Sequence, residues 1–117
     1  MITFSVFNNE PDVRPIASGQ VIFEQGQAGD LMYAVLEGEV EIKRDGRILE
    51  TVPPGGVFGE MALVDQKPRS ASAIGKTNGR VAAITARRFQ VLVSQNPHFA
   101  LQMLQLLAER VRHNLES

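Results

Sequence analysis

Residues 57–73 carry the side chains best suited to chemistry: Val-Phe-Gly-Glu-Met-Ala-Leu-Val-Asp-Gln-Lys-Pro-Arg-Ser-Ala-Ser-Ala. Gly55, Gly56 and Gly59 let the backbone turn tightly and approach a ligand closely. Glu60-Met61-Ala62-Leu63 are good helix formers, enough for one turn whose leading N–H groups favour an anion. Pro68 ends local helix. Arg69 then enters a strand whose alternation sets Arg69 and Ala71 on one face, Ser70 and Ser72 on the other. A guanidinium beside exposed amides gives one phosphate two kinds of donor. Glu60, acidic beside an anion site, makes sense as an acceptor for hydroxyls of a sugar attached to that phosphate. Cradle, cation and carboxylate together describe a nucleotide rather than inorganic phosphate. The plainer reading of Glu60 and Arg69 is a salt bridge, or two solvated charges.

The elements that must position these groups are short and β-rich. Segments of strand character cover residues 2–7, 20–24, 31–36, 40–43, 48–52, 70–74 and 80–85. Val40-Glu41-Ile42-Lys43 alternates apolar and polar, the period of a strand with one buried face. Asp45-Gly46 is a strong hairpin signal, and Asn78-Gly79 repeats it. Pro53-Pro54-Gly55-Gly56 reads as a turn. Many short strands between turns imply an antiparallel sandwich or barrel, in one domain without internal repeats.

The last third changes period. Thr85 is an N-cap for a helix over residues 86–95, and Asn96-Pro97 opens a second over residues 97–115. The second helix carries two apolar rows: Leu101, Leu104, Ala108, Val111 and Leu115, and beside it Phe99, Met103, Leu106 and Leu107. One stripe suffices to pack a helix on one barrel. The extra width implies either deeper burial or a partner helix.

Composition narrows the function. The chain has 117 residues, 44% of them hydrophobic, enough to bury a core as one domain. It has no cysteine, which excludes disulfides and thiolate metal sites and suits a cytoplasmic setting. A net charge of −1 does not favour direct nucleic-acid binding. No stretch reads as a signal peptide or a membrane span. With two histidines, His98 and His113, a three-histidine metal site of the cupin type is excluded by count. Ser70 and Ser72 have no histidine nearby in sequence to act as base, so no catalytic residue is assigned and the chain reads as a non-enzyme.

Phe58-Gly59-Glu60-Met61-Ala62-Leu63 and Pro68-Arg69-Ser70-Ala71 resemble, nearly residue for residue, the phosphate-binding cassette of the cyclic-nucleotide-binding domain family. That family includes the catabolite activator protein and the regulatory subunits of protein kinase A. Upstream, Gly19-Gln20-Val21-Ile22-Phe23-Glu24-Gln25-Gly26 is similar to its early strand and glycine turn, and residues 31–40 to its next two strands. Residues 89–97 are similar to its hinge helix and the start of its long helix. The resemblance implies a mainly β fold: an antiparallel β-roll (a double-stranded β-helix, jelly-roll-like) over residues 1–85, closed by the C-terminal helices.

The resemblance also implies a regulatory module that binds cAMP, or less readily cGMP, with no other cofactor and no metal. Arg69 would pair with the cyclic phosphate and Glu60 with the ribose 2′-hydroxyl. Phe58, Gly59, Met61, Ala62, Ser70 and Ala71 complete the cassette, with Ser70 adding a hydroxyl near phosphate or base. Leu49 and Val52 match positions that line the base pocket, or are ordinary core. Arg112, His113 and Asn114 are the candidates to cap the base. Ligand would move the C-terminal helices by population shift, toward an effector outside this chain, and a weak homodimer would form through the long helix. The alternative is a ligand-blind roll serving assembly. Two departures stand out: residues 2–7 take the place of the helix that usually precedes the roll, and no effector segment follows the long helix, so a stand-alone sensor is expected.

Overall fold

The structure, a computed structural model, describes residues 2–116, with side chains described from Ile2 to His113. Eight strands form the first three quarters of the chain: β1 (Val13–Ile16), β2 (Val21–Phe23), β3 (Leu31–Glu37), β4 (Val40–Arg44), β5 (Arg47–Val52), β6 (Val57–Phe58), β7 (Ser72–Gly75) and β8 (Gly79–Thr85). They pair antiparallel into two four-stranded sheets, β1-β8-β3-β6 and β2-β7-β4-β5. A 3₁₀ turn, Glu60–Leu63, lies between β6 and β7. Helices α1 (Ala86–Gln95) and α2 (Pro97–Glu116) follow.

Strand alternation explains the layering. Along β3, Tyr33 and Val35 point between the two sheets while Met32 and Ala34 point to the opposite face. That opposite face is covered by Phe4, Phe7, Leu92, Phe99, Met103 and Leu106. The β-roll therefore has two apolar cores, one between the sheets and one beneath the helices. The expected fold class is the observed one.

The Asp45-Gly46 turn behaves as its sequence dictates. Its φ angles are 52° and 78°, the left-handed pair that lets β4 and β5 twist together. Thr85 caps α1, its side-chain oxygen accepting from Arg88 N at 3.1 Å.

Four expectations need correction. Residues 2–7 are not a strand. Phe4 and Phe7, three apart, fall on one side of a turn and stack edge-to-face on Phe99 at 5.5 and 5.3 Å. Asn78-Gly79 is not a hairpin, because β7 and β8 belong to different sheets. Asn78 Oδ1 instead accepts from Ser18 N at 2.8 Å, and Gly79 packs against the backbone at Glu37, where a side chain has no room. Asn96 stands directly before Pro97, the first residue of α2, as expected, but its side chain turns to the other helix, Nδ2 donating back to Leu92 O at 3.2 Å and closing α1. The strand expected over residues 70–74 starts later, at Ser72. Strands β1 and β6 lie outside the segments of strand character in the sequence. The first contains Pro15, tolerated because β1 pairs on one side only; the second is two residues long.

The rows of α2 are also distinguished. Phe99, Met103 and Leu106 are buried on the roll, whereas Leu101, Leu104 and Val111 are exposed. The side chain of Leu115, assigned to the row of Leu101 and Leu104, lies outside the described residues.

Candidate functional site

A cavity of about 720 Å³ opens between the 3₁₀ turn, the second sheet and the C-terminal half of α2. Gly59, at φ 74°, swings the chain from β6 into the 3₁₀ turn, a conformation other residues rarely take. That turn presents Glu60, Met61 and Ala62 to the cavity, and Phe58 lines it from the strand before.

Arg69 is set by the loop between β2 and β3. Its N donates to Gln27 O at 2.8 Å and its O accepts from Gly26 N at 2.7 Å. The side chain is buried, 9% exposed. Nη2 donates to Leu31 O at 2.7 Å, Nη1 to Gly59 O at 3.2 Å, and the guanidinium lies 4.0 Å over the Phe23 ring. Its Nε is buried with no hydrogen-bond partner among the described residues. None of the ion pairs among those residues involves it. Burial lowers the pKa of Arg69, an effect that Tyr33, Asp30 and Glu60 offset in part.

Two glycines make room for that guanidinium. A Cβ on Gly29 would sit 2.7 Å from Nε and Nη2, and one on Gly59 3.0 Å from Nη1. Nothing local in the sequence distinguishes Gly29 from an ordinary loop glycine.

Glu60 does not pair with Arg69, so the simple salt-bridge reading fails. Its Oε1 accepts from Arg110 Nη1 at 2.6 Å. Arg110 Nη2 donates to Glu50 Oε2 at 2.8 Å and to Val57 O. One guanidinium thus joins α2, β5, β6 and the 3₁₀ turn. Burial works against the charge on Arg110, but attraction to Glu60 and Glu50 outweighs it and raises the pKa. Sequence reasoning missed Arg110 although a signal existed: it continues the buried series Phe99, Met103, Leu106 by a step of four.

The remaining candidates separate cleanly. Ser70, Ala71 and Leu49 line the cavity. Ser70 is exposed, and its O accepts from Arg44 Nε at 3.0 Å. Val52 does not line the cavity; it is fully buried between the sheets, with Gly56 packed against its Cγ1. Of the capping candidates, His113 borders the cavity, Arg112 is exposed and does not line it, and the side chain of Asn114 lies outside the described residues.

Chemically, the cavity joins apolar walls to a buried cation with an unsatisfied N–H and to a carboxylate with one engaged oxygen. Such a set suits a small anion carrying hydroxyls. Among the described residues no cluster of three His, Asp or Glu could hold a metal ion. No helix among them is long and apolar enough to cross a membrane.

Comparison with known proteins bears on the fold and the family. The family model for the cyclic nucleotide-binding domain matches residues 13–96. The chain is 35% identical over 99 residues to a cyclic AMP receptor protein of Thermus thermophilus, covering 80% of this chain and 46% of that protein. It is 38% identical over 88 residues to an uncharacterized ABC transporter ATP-binding protein of Mycobacterium bovis, covering 71% of this chain and 27% of that one. It therefore spans a quarter to under a half of the length of these relatives. The crystal structure of the Thermus thermophilus catabolite activator protein superposes with a TM-score of 0.81 at 32% identity, covering 95% of this chain and 60% of that one.

Proposed function

Because this chain belongs to the cyclic nucleotide-binding domain family, we propose that it is a sensor whose ligand is a 3′,5′-cyclic nucleotide, cAMP ahead of cGMP. One observation carries the reading: Arg69 is a buried cation with no carboxylate partner and an unsatisfied Nε, at the wall of a ligand-sized cavity. A buried charge without a counter-charge is costly, and the singly charged cyclic phosphate supplies one. Ser70 adds a hydroxyl beside it. Glu60 keeps Oε2 for the ribose 2′-hydroxyl while Arg110 holds Oε1. Gly59, Met61 and Ala62 offer backbone contacts around the sugar-phosphate. Leu49, Phe58 and Ala71 supply apolar surface along the cavity.

The choice of cAMP is supported by the name of the Thermus thermophilus relative, a cyclic AMP receptor protein. The module is a regulator, not an enzyme. It needs no metal and no cofactor besides its ligand, it does not contact nucleic acid directly, and it works in the cytoplasm; residues 1–117 make up one domain. Ligand favours the arrangement in which the 3₁₀ turn closes on the sugar. Because Arg110 ties that turn to α2, the helix follows. The effector that reads α2 is a separate polypeptide or a further domain. A ligand-blind roll has no use for a buried unpaired Arg69, which speaks against the assembly reading.

Titration calorimetry with cAMP, cGMP and 5′-AMP tests the proposal. One cAMP per chain, with cGMP weaker and 5′-AMP weaker still, is the expected order. Heats of dilution alone for both cyclic nucleotides overturn it.

A further inference from the structure

Arg110 holds one oxygen of each of two carboxylates, Glu60 Oε1 and Glu50 Oε2. Among the described residues the other oxygen of each, Glu60 Oε2 and Glu50 Oε1, accepts no hydrogen bond, and both residues line the same cavity. Glu60 Oε2 already has an assignment in the sugar. Glu50 has none.

We propose that Glu50 reads the base: its Oε1 accepts from the exocyclic 6-amino group of adenine and sets the preference for a 6-aminopurine over a 6-oxopurine. The inference rests on the cyclic-nucleotide reading above. With phosphate at Arg69 and ribose at Glu60, the carboxylate across Arg110 from Glu60 faces what remains of the ligand. Glu50 sits on β5 beside Leu49 and pairs in register with Ile42 of β4, and both neighbours line the cavity with apolar surface. In such surroundings a hydrogen bond is worth more than in water.

Arg110 constrains the orientation of Glu50 through the 2.8 Å contact to Oε2. A guanidinium only donates, so it must always face a carboxylate oxygen. That leaves one oxygen, Oε1, not engaged by the guanidinium. One acceptor matches the single amino group of adenine. Guanine presents a ring N–H and an amino group side by side, a pair suited to a carboxylate with both oxygens free. A 6-oxo group would set its own oxygen against Oε1, acceptor against acceptor.

Three probes test this: cAMP, the cyclic monophosphate of purine riboside, which lacks the 6-amino group, and cIMP, which carries a 6-oxo group. The parent protein is expected to bind cAMP at least about tenfold more tightly than either analogue. In Glu50→Gln the amide oxygen must face Arg110, which turns the amide NH₂ into the cavity. The cAMP-to-cIMP affinity ratio should then fall by roughly tenfold or invert. Equal affinity of the parent for all three, or a ratio in Glu50→Gln within about twofold of the parent's, overturns the role of Glu50 while leaving the cyclic-nucleotide reading intact. If none of the three binds the parent, the cyclic-nucleotide reading falls and this inference falls with it.

Discussion

Arg110 Nη1 and Glu60 Oε1 stand 2.6 Å apart, a charge-assisted bond joining the C-terminal half of α2 to the turn that carries the candidate sugar acceptor. Fifty positions separate the two residues in the chain. Their pairing makes the helix position and the turn position one variable rather than two.

Removing Arg110 should therefore unsettle both elements. Arg110→Ala leaves Glu50 and Glu60 facing each other without the cation between them. A loss of about 1–3 kcal/mol in unfolding free energy is expected, since the site is partly wet. Urea unfolding measures it. The same substitution in a Glu60→Gln background should cost less, because the like-charge repulsion has been removed. Equal losses in the two backgrounds would mean that Arg110 does not act through Glu60.

Arg69 should dominate affinity. Arg69→Ala removes the counter-charge of the phosphate, a loss of ~3–5 kcal/mol and so roughly a hundred- to a few-thousandfold in Kd. Calorimetry reads this directly. Affinity within a few-fold of the parent would take Arg69 out of the site.

Gly29 offers a gentler test of the same contact. In Gly29→Ala the new Cβ meets the Arg69 guanidinium and no backbone atom among its nearest neighbours. The flexible end of Arg69 moves, so the fold should survive with an unchanged thermal midpoint. Affinity should drop by about tenfold, the scale of a local overpacking. Unchanged affinity would show that the observed pose of Arg69 is not the one the ligand uses.

Glu60→Gln should weaken cAMP yet leave its 2′-deoxy analogue almost unaffected, because the analogue lacks the shared contact. Comparing the two titrations isolates the sugar hydroxyl. Equal losses for both ligands would contradict the assignment.

The exposed row on α2 makes self-association measurable. Leu101, Leu104 and Val111 are 50%, 63% and 58% exposed, a degree that leaves them available to a second copy. A weak dimer is expected, since the described row from Leu101 to Val111 is short for a coiled-coil seam. Val111 also borders the cavity, so Leu104→Glu is the cleaner disruption. Sedimentation over a concentration series should show the parent associating and the variant monomeric. A monomeric parent at every concentration would end the proposal.

What the sequence disclosed follows a physical line. Local signals were legible: the Asp45-Gly46 turn, the Thr85 cap and the period of β4 each act within a few residues. The residues of the cassette were legible too, because Gly59, Glu60 and Arg69 lie in one short segment. Contacts made by distant segments were not. Asn78-Gly79 has the residues of a hairpin turn although β7 and β8 lie in different sheets, and Ile2 to Phe7 alternates like a strand although tertiary packing claims Phe4 and Phe7 together. Arg110 reaches Glu60 and Glu50 only because α2 folds back over the roll. Val52 and Leu49, three apart on one strand, could not be told apart as core and cavity without the register.

The first sheet carries apolar side chains on both faces, and this divides the interior into two compartments. Phe58 belongs to the one between the sheets, Leu106 to the one under the helices, and both touch the cavity. Displacing the helical layer would strip contacts from Met32, Ala34, Ala82 and Ile84 and spare those of Tyr33, Val35, Val81 and Ala83 between the sheets. Amide protons of α1 and α2 should then exchange through a lower-energy opening than those of β3 and β8. An occupant wedged between Phe58 and Leu106 bolts the two compartments together, so saturation should slow exchange in the helices far more than in the sheets.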